Sequence, residues 1–189
     1  MGQINSTYFR STSAEEQYQK YRKLASEEAR LRNECFSQSQ DAYKKKQGKR
    51  AKELSLKGKE HARIMAQYNA KAVEIIFAAN NGNRSYDEID LHGLFVKEAL
   101  EKTESRIEYC KKHNIDHLTV IVGRGNHSQD GIVKLKPAIA ELMEKYQLSC
   151  TPDKPTIGCL YVEFGNTHQK TDLSFLSFFG IIEDRCVIC

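Results

Sequence analysis

The chain has 189 residues, 40% of them hydrophobic and 29% charged, with a formal net charge of +4, a size that holds one ordinary domain and a substantial extension. No run is as long and apolar as a membrane span, and no charged-then-apolar leader opens the chain, which argues against an integral membrane protein and predicts folding in the cytosol or nucleus. Six cysteines, at 35, 110, 150, 159, 186 and 189, include a single closely spaced pair with no second pair beside it, so neither a disulfide framework nor a zinc site is expected and no metal ligands are assigned.

Residues 1–13 are polar and Ser/Thr-rich and read as a mobile arm. From Ala14 the apolar residues Tyr18, Tyr21, Ala25, Leu31, Cys35 and Ala42 recur at helical spacing, and Ser13 with Glu16 reads as a capping box. A basic run follows, Lys44, Lys45, Lys46, Lys49 and Arg50, interrupted by Gly48. A second stripe comprises Ala51, Leu54, Gly58, Ala62, Met65, Asn69, Ala72 and Ile76. Two amphipathic segments around a glycine predict a helical hairpin over 14–80, each stripe covering the other, with Gly58 marking a close helix contact. Asn80 to Asn83 end the second helix, and 81–86 form a linker. Residues 14–80 carry fifteen Lys/Arg against nine Asp/Glu, whereas 81–172 carry twelve against fourteen. The basic run therefore has three readings: a surface that follows a phosphate backbone, an import signal, or a solvated turn.

Beyond the linker the hydrophobic period changes. Ile89-Asp90-Leu91 is a short extended run; Phe95 to His113 is helical with Val96, Leu100, Ile107 and Cys110 inward. His117 to Val122 reads as a central strand buried on both faces. Gly123 to Gly131 is a polar loop, Ile132 to Tyr146 a helix with Val133, Ile139, Leu142 and Met143 inward, and 148–152 and 157–164 are two strands. The order β-α-β-α-β-β over 87–165 predicts an α/β domain of α+β two-layer type, its helices on one face of the sheet.

Two segments carry chemistry. In Asp90-Leu91-His92-Gly93, strand alternation puts Asp90 and His92 on one face, where a carboxylate holds the tautomer of an imidazole and raises its basicity. Gly93 lets the chain turn sharply into the helix. In Gly123-Arg124-Gly125-Asn126-His127-Ser128 the glycines let a phosphate approach backbone N–H groups, Arg124 offers a planar fork to phosphate oxygens, and His127 adds a second titratable group. The loop lacks the Lys-Ser/Thr ending of a nucleotide-binding P-loop. The bland alternatives are a polar strand end and a flexible strand-to-helix loop. In the predicted architecture both segments leave the same strand ends.

Ile89-Asp90-Leu91-His92-Gly93, followed some thirty residues later by Val122-Gly123-Arg124-Gly125 and then Lys134-Leu135-Lys136-Pro137, closely resembles the Smr (small MutS-related) family. Residues 14–80 are similar to the helical domain of unknown function that often precedes Smr in eukaryotic proteins, through Ala51, Leu54, Gly58, His61, Met65, Asn69 and the segment Phe77 to Asn81. The resemblance implies nucleic-acid binding, frequently RNA endonuclease activity and in some relatives DNA nicking. It carries functional roles to Asp90, His92, Gly123, Arg124 and Gly125. This chain departs from many relatives at Val122, where they have threonine or histidine able to bond a phosphate.

These expectations combine into a metal-free RNA cleavage, with no cofactor required and a divalent ion as the open alternative. Asp90, His92, Arg124 and His127 carry the chemistry; Gly93, Gly123, Gly125, Asn126 and the basic run bind nucleic acid. The competing reading is a non-catalytic module holding RNA or a ribosomal surface. The ends supply a third: Cys186-Val187-Ile188-Cys189 at the end of the apolar tail 166–189 fits a prenylation pattern, and Gly2 with Ser6 a myristoylation pattern, which together predict peripheral membrane attachment.

Overall fold

The computed structural model describes residues 4–123 and 134–164, with 4–12 described by backbone. The chain divides into two compact units, Met1–Gly82 and Asn83–Cys189.

The first unit is a pair of antiparallel helices, α1 (Ile4–Lys44) and α2 (Gly48–Asn81). Helix α1 starts ten residues ahead of the expected start, so 4–13 are helix and Ser13 lies inside it, its hydroxyl accepting from Gln17 Nε2 at 3.4 Å. The physical reason is propagation: no glycine or proline stands between Ile4 and Gln47, so a helix fixed downstream extends through polar residues that carry no burial signal. Small residues of both stripes are buried, Ala25 and Ala42 on α1 and Ala51, Gly58 and Ala72 on α2. Gly58 does mark a close contact, because a Cβ there would fall 2.6 Å from Cε1 of Phe36. Polar pairs fix the register: Arg22 Nη1 donates to Asn69 Oδ1 at 2.7 Å, His61 Nδ1 meets Glu28 Oε2 at 2.7 Å, and the Ser39 hydroxyl donates to Ala51 O at 2.7 Å.

The second unit contains β1 (Glu88–Asp90), α3 (Val96–Lys112), β2 (His117–Ile121), α4 (Leu135–Lys145), β3 (Ser149–Pro152) and β4 (Cys159–Glu163). This is the α+β arrangement expected. The sheet order is β1-β2-β4-β3, with β1 parallel to β2 and the other pairs antiparallel. Its core consists of Ile89, Leu118, Val120, Leu160 and Val162 from the sheet, Leu91 just past β1, and Ile107, Ile139 and Met143 from the helices, all fully buried.

Two expectations about burial need correction. Strand β2 is central but not apolar on both faces: Leu118 and Val120 are 0% exposed, whereas the alternate residues His117 and Ile121 are half-buried and Thr119 is buried. On α3 the fully buried residues are Ala99, Thr103, Ile107 and Cys110, while Val96 and Leu100 are half-buried. Thr103 reaches an interior position because its hydroxyl donates to Ala99 O at 2.7 Å, leaving no polar group without a bond.

Candidate functional site

The segment Asp90 to Leu94 is two overlapping turns written in its residue types. Oδ1 of Asp90 accepts the backbone N–H of His92 at 3.1 Å, the local bond by which an aspartate starts a turn. Leu94 N then donates to Leu91 O at 3.1 Å around His92 and Gly93. Gly93 has φ 81°, a left-handed conformation that a side chain would strain, so the glycine is required by the turn. Leu91 and Leu94 are buried and pin both legs, which leaves His92 lifted out of the surface. Helix α3 begins directly afterwards, with Glu98 Oε2 accepting the Phe95 N–H at 2.8 Å.

The same oxygen of Asp90 also meets Nδ1 of the His92 ring, at 2.6 Å. An ionised carboxylate can only accept, so Nδ1 carries the hydrogen and the neutral ring presents Nε2 as its acceptor. Asp90 is 4% exposed, while the His92 side chain is 55% exposed. Burial pushes the Asp90 carboxyl upward, but the ring and backbone bonds from His92 and the charges of His92 and Arg84 outweigh it and hold the group below its ordinary value. The buried member is thus the orienting anion, and the exposed member is the group able to exchange a proton with a ligand.

Arg84 was missed by sequence reasoning, which placed it in the linker 81–86. Its Nη2 donates to Asp90 Oδ2 at 3.0 Å and its Nη1 to Glu88 Oε2 at 3.1 Å. Glu88 and Asp90 lie two residues apart on β1 and therefore share a face, so one guanidinium spans both. A single arginine before a strand, four and six residues from acidic partners across a bend, carries no distinctive sequence pattern. Arg106 completes the support: its Nη1 donates to Tyr86 O at 3.1 Å and Glu88 O at 2.7 Å, clamping the entry to β1.

Parallel pairing brings the second motif to the same place. Leu91 N donates to Ile121 O at 2.9 Å, so the ladder continues past Asp90 to where β2 ends. Gly123 has φ 76°, and a Cβ on it would lie 4.0 Å from the Cβ of His92. Asp90, His92, Gly93 and Gly123 are therefore brought together at one sheet end. Arg124, Gly125, Asn126 and His127 lie outside the described residues, as do Gly2 and Cys186.

The basic run belongs to the helical unit. Lys44, Lys45, Lys46, Lys49 and Arg50 are all exposed at the hairpin turn, where Lys46 takes φ 59° to end α1. Among the described residues, no group of three His, Cys, Asp or Glu side chains gathers to hold a metal ion, and no helix is long and apolar enough to cross a membrane.

Comparison with known proteins adds to this geometry. Residues 18–81 match the model of a domain of unknown function, DUF1771, and residues 89–164 match the Smr domain. The chain is similar to a Saccharomyces cerevisiae protein named Endonuclease NBR9, 41% identical over 160 residues that make up 85% of this chain and 67% of that one. It is also similar to the Schizosaccharomyces pombe Smr domain-containing protein C11H11.03c, 42% identical over 133 residues, covering 70% of this chain and 65% of that one. The solution structure of the B3BP Smr domain is 36% identical, covering 51% of this chain and 95% of that domain with a TM-score of 0.40. The chain spans about two thirds of the length of the two yeast relatives.

Proposed function

The chain belongs to the Smr domain family, with a DUF1771 domain ahead of the Smr domain, and from that premise we propose that it binds nucleic acid and cleaves RNA at the sheet end built from Asp90, His92 and Gly123. The observation that carries the proposal is the 2.6 Å contact of His92 Nδ1 with a buried aspartate, which orients the ring of a histidine whose side chain is itself 55% exposed. The name of the budding-yeast relative, an endonuclease, supports the cleavage part of this reading.

RNA supplies its own nucleophile. His92 Nε2 takes the proton of a 2′-hydroxyl, and the oxygen attacks the adjacent phosphorus as the bond from phosphorus to the 5′-oxygen breaks. Asp90 stabilises the imidazolium formed, as a buried carboxylate behind a histidine base does. Arg124 and the amides of the glycine loop offset the negative charge gathered on phosphorus, and His127 returns a proton to the departing 5′-oxygen. The products carry a 2′,3′-cyclic phosphate and a 5′-hydroxyl. The exposed lysines and Arg50 at the hairpin turn bind RNA backbone in their own right.

The test is incubation of the full chain with end-labelled single-stranded, structured and ribosome-bound RNA, alongside Asp90→Ala/His92→Ala. Cleavage that disappears in the variant, survives chelator and leaves cyclic phosphate ends supports the proposal. Chelator-sensitive cleavage with 5′-phosphate ends would replace the 2′-hydroxyl route by metal-assisted water attack. Binding without cleavage on any substrate would leave a recognition module.

A further inference from the structure

We propose that Arg84 is a positioning residue of this site, anchoring one oxygen of Asp90 so that the other stays on His92, in a relay Arg84–Asp90–His92. The inference rests on the reading of His92 as the group that moves a proton, and it adds a residue that lies between the DUF1771 match and the Smr match, outside both.

Donors from two residues among those described converge on the Asp90 carboxylate. Oδ1 receives the backbone N–H of His92 at 3.1 Å and ring Nδ1 at 2.6 Å, while Oδ2 receives Arg84 Nη2 at 3.0 Å. With both oxygens held, the carboxylate cannot rotate about its Cβ–Cγ bond without breaking bonds at each end. The guanidinium is itself held at a second prong by Glu88 Oε2 at 3.1 Å, and the planar fork fixes the direction from which it approaches.

The charge argument points the same way. Asp90 is 4% exposed, and a buried carboxylate is unfavourable without a countercharge. His92 supplies that charge only when protonated, and a general base rests in its neutral form. Arg84 is charged in both states, so Asp90 stays ionised while the proton arrives on His92 and leaves it. Arg84 also binds the Asp90 oxygen that the imidazole does not, and offsets part of the carboxylate's pull on the ring proton. The charged groups that this relay brings to bear on His92 are Asp90 and, through it, Arg84 and Glu88, from β1 and the segment before it.

The experiment is an NMR titration of the His92 ring in the full chain, assigned with His92→Gln, for the natural protein, Arg84→Gln and Arg84→Lys. The side chain of Arg84 is 33% exposed, and the β1 ladder bonds to β2 do not involve it, so both variants keep the fold. Removing the charge in Arg84→Gln raises the midpoint of the His92 titration, while Arg84→Lys, which keeps the charge, leaves it near that of the natural protein. On cleaved RNA, Arg84→Gln lowers kcat on the order of tenfold, a part of the roughly 10²–10⁴-fold that a general base contributes, with RNA affinity within about twofold. An unmoved titration in a folded Arg84→Gln protein overturns the proposal. So does a loss of affinity with unchanged kcat, which would make Arg84 a phosphate contact. If no RNA is cleaved, the nuclease reading fails while the titration still decides the relay.

Discussion

Replacing Asp90 by asparagine tests the site at its centre, because the substitution keeps shape and removes charge. Asparagine offers one acceptor oxygen and one amino group where aspartate offers two acceptors. Turned to keep its oxygen on His92, it meets Arg84 Nη2 donor to donor, and Arg84 must swing towards solvent. One charge-assisted bond disappears, and two others become neutral bonds. Bonds to charged groups contribute about 1.5–3 kcal/mol and neutral ones about 0.5–1.5, while the amide is easier to bury than a charge, so the net loss comes to about 2 kcal/mol. The pH dependence follows from the depressed carboxyl. A group whose pKa is lower folded than unfolded stabilises the fold above its unfolded value, and that contribution is lost as pH falls through the folded one. Burial raises the Asp90 pKa, but the bonds and charges of His92 and the charge of Arg84 bring it below 3.8. With His92 already protonated, the gap between natural protein and Asp90→Asn therefore narrows as pH falls below about 4. Urea unfolding at pH 5 and pH 3 measures it, and single-turnover cleavage at pH 7 should slow by about 10²–10⁴-fold. A stability gap equal at the two pH values, or an unchanged cleavage rate, would refute the reasoning.

The remaining expectations are simpler. Changing Lys44, Lys45, Lys46, Lys49 and Arg50 to glutamine should weaken single-stranded RNA binding and reduce the slope of log affinity against log salt by about 0.7 for each phosphate no longer neutralised, read by fluorescence anisotropy across a salt series. Unchanged affinity and slope would make the run a solvated turn. Gly123→Ala places a side chain at φ 76° and should lower stability by about 1–2 kcal/mol while slowing cleavage, because the strand exit beside His92 must shift. An unaltered melting temperature and rate would show that the turn relaxes freely. Burial pushes the Cys150 thiol up to about 12, with Lys136 offsetting only part of it, so iodoacetamide at pH 8 should modify Cys150 far more slowly in the native protein than after unfolding, as mapped by mass spectrometry.

The helical hairpin was legible because its apolar period repeats over a long segment on each side of a glycine, and even the Gly58 contact could be anticipated. The upstream extent of α1 was not, because residues 4–13 continue the helix through a polar stretch and only an apolar stripe leaves a periodic trace. Thr103 shows the reverse limit. A polar residue entered the interior of α3 because a local backbone carbonyl satisfies it, and pattern reading gave its place to half-buried Leu100. The alternation of β2 was overread for a related reason: a run of β-formers looks buried on both faces when only one is shielded completely.

Within the site, what could be read was local, and what could not required three dimensions. The Asp90–His92 contact and the Gly93 turn span four residues, so their geometry follows from residue type and strand alternation. The approach of Gly123 needed one further step, the parallel pairing of β1 with β2, which the helix between them makes the natural topology. Arg84 needed the chain to bend between Arg84 and Glu88, and no residue type announces that bend. Yet its place is what chemistry demands. A histidine that cycles between neutral and charged forms beside a buried aspartate leaves that aspartate without a countercharge for half the cycle, unless a permanent cation stands behind it. The Asp-Leu-His-Gly motif therefore specifies an orienting pair, and the balancing charge comes from wherever the preceding chain can supply it, here two residues ahead of Tyr86 and six ahead of Asp90.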